Sequence, residues 1–555
     1  MFFRIKSAGS YQYLQIAQSY RSEGKVRQRI LSTLGRLDVL RDSGQLDSLL
    51  RSGLRLTDTL AVWDAQAAGT AQPVEVLRIG PDLVFGRLWQ ESGIQSILGG
   101  LLAKRHFGFE VERAIYLTVL HRLFSPGSDR AAETWRDAYR IPGTQSLELH
   151  HLYRAMAWLG ENQQEGSSEL EGLPRTTKDQ IEEQLFDRRR DLFSEVDLVF
   201  FDTTSIYFEG QGGESLGQHG FSKDHRPDLR QMVVGLAVDV QGWPICSLLW
   251  PGNITDAKAL LPVVQRFRKR FRVQRVAVVA DRGMISKALV DALESEEMGC
   301  PYILGVRMRS AAVVGESLLK DSSPWSEVVP ERQHAKDPSP LKVKEVRVEG
   351  RRYVMCLNEE QQRKDAADRE AIVAALRQAL KQGTDKELIG NKGYRKYVKT
   401  PTQDAFVVDE QKIKEEARYD GLWALQTNMD LETEMVARTY KHLWTVEDLF
   451  RTMKSALATR PIYHKRDATI RGHVFCSFLA LRLRRELERR LEALGKEWEW
   501  AEILRGLDQL SEVSLAFQGK KFLMRSELKG HASQAVRAAG VALPPPMRET
   551  PPDTP

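Results

Sequence analysis

The chain has 555 residues, 42% of them hydrophobic and 28% charged, with a formal net charge of +6. That length implies several domains of roughly 100 to 200 residues each, and the near balance of charge means that any basic surface must come from local clustering. Cys246, Cys300, Cys356 and Cys476 lie far apart with no C-x-x-C spacing, which argues against a zinc finger or a disulfide framework. No apolar run reaches the roughly 18 residues of a membrane span, and residues 1–6 lead into polar sequence and not a signal peptide, so a cytoplasmic location is expected.

Alternating residues at 11–17 and 26–31 read as two strands flanking a turn at 22–25, a hairpin with one half-buried face within a first region at 1–75. From 76 to 190 the spacing turns helical, as at 110–123. The apolar run 197–205 reads as a buried strand with one acid, Asp202, in its middle, and an acid there needs a reason. Strand-like runs follow at 231–238 and 244–250, then a helix near 256–272. The β-branched run 275–280 ends at Asp281 and is followed by Arg282 and Gly283, which puts a second carboxylate at a strand's C-terminal end, the edge where open α/β sheets place their ligands. Another helix near 286–297 leads to a strand at 302–306. Residues 310–419 are too long for a structureless loop and read as an insertion with its own hairpin about 349–351 and a helix near 362–382.

Residues 440–454 contain no Gly or Pro and read as one helix. Tyr440, Glu447 and Lys454 recur every seven residues, a step that drifts only about 20° around a helix, so all three are expected on one face, with Asp448 about 100° away. Trp444, one turn before Glu447, reads either as a stacking platform for a displaced base or as a core tryptophan. The arginine-rich runs 266–272 and 482–490 read either as phosphate contacts or as solvated helix faces. The stretch 461–540 is expected to be helical, and the prolines at 544–546, 551, 552 and 555 mark 541–555 as a disordered tail.

Asp202, Asp281 and Glu447, with Tyr440 and Lys454 about the last, form a pattern that resembles the DDE transposases of bacterial insertion sequences, in the group with a Tyr-x2-Arg-x3-Glu-x6-Lys signature. Leu443 stands at the arginine position, where Lys441, His442 and Arg451 are near enough to substitute. Residues 220–229, 419–423 and, more loosely, 19–28 also look like stretches these enzymes carry. The resemblance implies an α/β protein. Its ribonuclease-H-like mixed-sheet core, at 191–309 and 420–460, is interrupted by an inserted α+β subdomain at 310–419. An N-terminal hairpin and helix region, a DNA-end-binding helical region at 76–190 and a helical C-terminus complete it. It implies two Mg²⁺ ions per site, replaceable by Mn²⁺, held by Asp202, Asp281 and Glu447 as catalytic ligands. Tyr440, Trp444, Arg451, Lys454, Lys223, His225 and Arg226 are the expected DNA contacts. The implied activity is binding of terminal inverted repeats, then metal-dependent strand cleavage and transfer into target DNA by a homodimer in the nucleoid. A ribonuclease-H-like nuclease without strand transfer and a noncatalytic, transposase-derived DNA-binding protein are the alternatives, and retention of all three acids disfavours the second.

Overall fold

Alternating polar and apolar residues put the first part of the chain into strands. The structure, a computed structural model, describes residues 1–22, 25–54, 72–163, 175–189, 197–273, 276–309, 312–328, 340–382, 391–402, 405–495, 498–517 and 520–549. Two compact units divide the chain: Met1–Pro81 with Ala138–Arg140 and Trp498–Pro555, and Asp82–Asp137 with Ile141–Glu497.

In the first unit, β1 (Phe2–Ala8), β2 (Tyr11–Ser22) and β3 (Lys25–Arg36) form an antiparallel sheet in the order β1-β2-β3. The hairpin has the strands its alternation requires, and residues 23 and 24 of its expected turn lie outside the described residues. The sequence reading missed β1, whose seven residues are all exposed and so carry no burial pattern. β4 (Gln72–Arg78) closes this part.

The second unit is built on a mixed sheet. β5 (Asp197–Tyr207), β6 (Gln231–Val238) and β7 (Pro244–Pro251) run antiparallel to one another, while β8 (Val276–Ala280) lies parallel to β5 and β9 (Tyr302–Val306) parallel to β8. β10 (Ser326–Val328), β11 (Leu341–Val348), β12 (Arg351–Leu357) and β15 (Leu422–Thr427) extend it to nine strands in the order β10-β11-β12-β15-β9-β8-β5-β6-β7. This corrects one expectation. The 349–351 hairpin does not leave the core, because β12 pairs with β15 and β15 with β9. What stands off the sheet is smaller: β13 (Val398–Thr402), β14 (Ala405–Val408) and the helices Glu359–Gln382 and Glu410–Ala417, gathered about Val373, Leu376 and Tyr397.

Helices cover the sheet because their apolar residues recur at helical spacing. Ala259, Leu260, Val263, Val264 and Phe267 of helix Asp256–Lys269 pack with Leu289, Val290 and Leu293 of helix Lys287–Glu294 against Val199, Phe201, Val276 and Val278. Helix Asp467–Ala493 packs on Leu149–Leu159, where Gly472 is needed: a Cβ there would lie within 1.9 Å of the Met156 carbonyl oxygen.

Each arginine-rich run commits arginines to the interior of this unit. Arg266 is buried and pairs with Asp179 at 2.9 Å and Glu182 at 2.6 Å. Glu182 in turn accepts from the Ser247 amide at 2.9 Å and its hydroxyl at 2.8 Å. In the second run Arg482 is buried and donates to the Pro244 carbonyl, while Arg484, Arg489 and Arg490 pair with Glu488 and Glu486 of their own helix. Arg266 and Arg482 are therefore structural cations, and Arg484, Arg489 and Arg490 face acids of their own helix, while Lys269 and Arg272 of the first run are exposed.

Returning to the first unit, helix Trp500–Gln509 precedes β16 (Ser511–Phe517) and β17 (Lys520–Arg525), and β18 (Met547–Glu549) follows helix His531–Ala538. The sheet order is β18-β17-β16-β4. The expectation of helix throughout 461–540 is therefore corrected: β16 finds its partner in β4, far upstream, and that pairing decides its conformation. Within 541–555, residues 547–549 form a strand and 550–555 lie outside the described residues.

Candidate active site

Asp202 lies within β5, whose alternate residues face opposite sides: Phe201 enters the core, while Phe200, 6.1 Å from the His442 ring, faces the helix that follows β15. The parallel register pairs Phe201 with Ala280, so the next step sets Asp202 beside Asp281, which follows β8. Asp202, Asp281 and Glu447 all line one cleft of about 1330 Å³, together with Lys223, Asp256, Arg282, Tyr440 and Trp444.

Burial pushes the Asp202 carboxyl up to about 6, with Asp281 and Asp256 adding to the rise. The Lys223 ammonium and the Thr203 amide, which donates to Asp202 Oδ1 at 2.7 Å, act against it. Lys223 was expected to grip phosphate from a polar loop. Instead its Nζ stands 4.0 Å from Asp202 Oδ1 and 3.3 Å from Asp256 Oδ2, and it donates to the Thr203 carbonyl at 2.7 Å. It is a counter-ion of the acids. Asp256, at the first turn of helix Asp256–Lys269, accepts from the Thr203 hydroxyl at 2.6 Å. Sequence reasoning missed it, although an acid opening a helix directly after the glycine-bearing turn at 252–255 was a readable signal.

The third acid is not on the uninterrupted helix that the sequence suggested. Helix Thr433–Lys441 ends at His442, and helix Trp444–Arg451 begins after a tightened turn in which Leu443 N–H donates to the Tyr440 carbonyl at 3.1 Å and Val446 N–H to the Leu443 carbonyl at 3.0 Å. A π turn, Thr452–Ala456, follows. Each change of pitch alters the rotation per residue, so the seven-residue line is not kept. Tyr440 and Glu447 share the cleft; Lys454 does not line it. Its Nζ pairs with Asp224 at 2.7 Å, beside Arg460 at 2.6 Å from the same oxygen, and burial lowers the Lys454 ammonium while Asp224 opposes the shift. Tyr440 is also engaged, since its hydroxyl donates to Asp281 Oδ1 at 2.8 Å, and burial followed by the Asp281 charge holds that phenol well above its ordinary value. Gly305 makes room for it: a Cβ there would lie 2.5 Å from the Tyr440 hydroxyl.

Trp444 is 60% exposed, which settles the choice against a core tryptophan. Asp448 lies outside the cleft and pairs with the exposed Arg451 at 3.2 Å. Arg226 pairs with Asp228 at 2.8 Å, and the exposed His225 has φ 57°. None of His225, Arg226 and Arg451 lines the cleft.

The transposase DDE domain family matches residues 195–483, more than half of the chain, a span that includes all three acids. The chain belongs to the DDE transposases. The N-terminal domain of IS1634 family transposases matches residues 3–65, which places this transposase with bacterial insertion sequences. It acts on DNA, cleaving and transferring strands with divalent metal ions. No curated protein matches it. Among solved structures, a piggyBac transposase synaptic complex with hairpin DNA is similar at 10% identity over 77% of this chain and 78% of that chain, with a TM-score of 0.37, a likeness too weak to bear on the fold. No helix among the described residues is long and apolar enough to cross a membrane.

A second group that could hold a metal lies apart from the cleft. Ligand atoms of Asp129, His464 and His473 fall within 4.8 Å of one another. Arg122 Nη2 stands 2.9 Å from His473 Nδ1, so that lone pair is engaged and a guanidinium charge opposes a cation there. Burial, then Arg122, drives His473 well below its ordinary value. The group is a hydrogen-bond network of imidazoles gathered about the Arg122 guanidinium, not a metal centre.

Proposed function

We propose that Asp202, Asp281 and Glu447 are the catalytic carboxylates of this transposase and hold two Mg²⁺ ions, with Mn²⁺ as a substitute. The observation that carries this is their convergence from a mid-strand position, a strand end and a helix first turn onto one cleft. The donors fit the group. They are hard oxygens, and Asp202 is pushed up by burial and by two neighbouring acids in a way that a cation would relieve. When bound, such ions activate the attacking oxygen and stabilise the leaving oxyanion. The chain's own residues do the rest: Tyr440 orients Asp281, the Thr203 amide orients Asp202, and Lys223 and Asp256 fix the floor beside it.

Three antiparallel strands followed by two parallel ones, with an acid in the first and another after the fourth, support a ribonuclease-H-like core. Exposed Trp444 at the cleft is suited to stack on a base near the scissile bond, which favours DNA threading past Glu447. His225, Arg226 and Arg451, none of which lines the cleft, remain candidate phosphate contacts. The substrates we assign are the element's terminal inverted repeats and a target duplex, brought together by a homodimer in the nucleoid, with residues 76–190 contributing to end binding. The test is cleavage of a duplex made from the DNA flanking the gene. Mg²⁺-dependent nicking at the repeat boundary supports the reading; cutting indifferent to that boundary favours a plain nuclease.

A further inference from the structure

Residues 1–36 contain seven of the chain's 81 lysines and arginines and only one of its 75 acids, so the whole net charge of +6 resides there and the remainder is balanced. In the two other basic runs Arg266 and Arg482 are buried, and Arg484, Arg489 and Arg490 pair with glutamates of their own helix.

The ladder of the N-terminal sheet gives that charge a shape. β1 pairs with β2 only as far as Phe2 opposite Ala17. The β2–β3 ladder continues beyond it through Gln18–Arg29, Ser19–Gln28, Tyr20–Arg27, Arg21–Val26 and Ser22–Lys25. The three-stranded sheet thus narrows to a two-stranded ribbon of five pairs, roughly 16 Å long at about 3.3 Å per residue. Directly opposed residues share a face. Gln18, Tyr20, Arg27 and Arg29 therefore stand on one side, and Ser19, Arg21, Val26 and Gln28 on the other. Tyr20, Arg21, Val26, Arg27 and Arg29 are exposed. Arg29 donates from Nε and Nη2 to Gln18 Oε1 at 3.0 and 2.8 Å, a neutral partner that steers the guanidinium along the ribbon without cancelling its charge. A bare two-stranded ribbon buries too little to be kept for stability alone.

We propose that this ribbon is a duplex-DNA contact, entering the major groove with the Gln18, Tyr20, Arg27 and Arg29 face towards the base edges. A B-form major groove is about 12 Å wide and admits a two-stranded ribbon, and arginine and glutamine are the side chains that form bidentate contacts there. The occupant is fixed by charge: a strongly cationic ribbon with no described acid among its paired residues matches a polyanion and disfavours a second copy of itself. The inference rests on the transposase reading and deepens it, because it assigns DNA recognition to a strand element as well as to the helical stretch.

The test uses the full chain and two duplexes, one from the DNA flanking the gene and one shuffled to the same composition. Affinity is measured across a salt titration for the wild type, for the triple variant Arg21→Ala/Arg27→Ala/Arg29→Ala, and for the charge-preserving pair Arg27→Lys/Arg29→Lys. The triple variant is expected to lose up to about three units of salt slope, because each neutralised phosphate contributes roughly 0.9. The lysine pair should keep the slope and lose most of the preference for the flanking duplex. Thermal midpoints equal to wild type confirm that the side chains were replaced without unfolding the protein. Wild-type protein that neither binds nor cuts the flanking duplex overturns the transposase reading itself. Wild type that binds and cuts, with an unchanged slope in the triple variant, overturns only the ribbon. A triple variant whose molecular mass halves at unchanged slope makes the ribbon an interface between copies and also overturns the proposal.

Discussion

Replacing Tyr440 with Phe removes one hydroxyl from the cleft and leaves the ring in place. The lost bond is the 2.8 Å donation to Asp281 Oδ1. A hydrogen bond to a charged group contributes roughly 1.5 to 3 kcal/mol. If that is needed to hold Asp281 in its reacting orientation, single-turnover cleavage slows by roughly ten- to 150-fold, at about 1.4 kcal/mol per decade. The half-saturating Mg²⁺ concentration should rise with it, since a loosened carboxylate ligates less well. DNA affinity and its salt slope should not change, because the phenol carries no charge and faces a carboxylate. Cleavage of a labelled end duplex across a Mg²⁺ titration, with anisotropy binding in parallel, measures both. Wild-type cleavage by Tyr440→Phe together with weakened DNA binding would make Tyr440 a phosphate contact and refute its role as the holder of Asp281.

Lys454→Ala should leave the salt slope unchanged and lower the thermal midpoint, because Lys454 is spent on Asp224; a slope reduced by one unit would restore the phosphate contact expected from the seven-residue spacing. Trp444→Ala should weaken binding of a pre-cleaved end by about 1 to 3 kcal/mol with stability nearly intact, since the ring is exposed, whereas a large fall in stability would return it to the core. Arg266→Ala strips the buried Glu182 and Asp179 of a partner and should destabilise the second unit by about 3 to 5 kcal/mol in urea unfolding; a loss below 1 kcal/mol would mean the cluster relaxes freely. Burial lowers His121 to about 4 and also depresses His464 and His473, so the unfolded chain takes up protons near pH 6.5 that the folded chain refuses. Stability should therefore fall as pH drops from 6.5 towards 4, with His121 alone contributing about 3 kcal/mol, and His121→Gln should flatten that dependence.

Much of the site could be read because its acids interrupt strong local patterns. Asp202 breaks an apolar strand and Asp281 ends one, and neither needs distant information to be noticed. What sequence could not show depends on partners far along the chain. Lys454 looks like a surface cation until Asp224, 230 positions earlier, is brought to its ammonium. Arg266 looks basic until Glu182 is buried against it. β16 alternates, as Val513, Leu515 and Phe517 show, but a long helical run precedes it and its partner β4 lies near the other end of the chain. The 440–454 stretch misled for another reason: composition gives no warning of a tightened turn or a π turn inside a good helical sequence.

The measurement closest to the central claim is Mg²⁺-dependent cleavage of the flanking-DNA duplex by four single variants, Asp202→Asn, Asp281→Asn, Glu447→Gln and Asp448→Asn, each checked for end binding. The account predicts that the first three bind the end but do not cut it, that Asp448→Asn cuts like wild type, and that EDTA silences every active sample. Cutting by Glu447→Gln alongside loss in Asp448→Asn, or wild-type cleavage undiminished by EDTA, would contradict it.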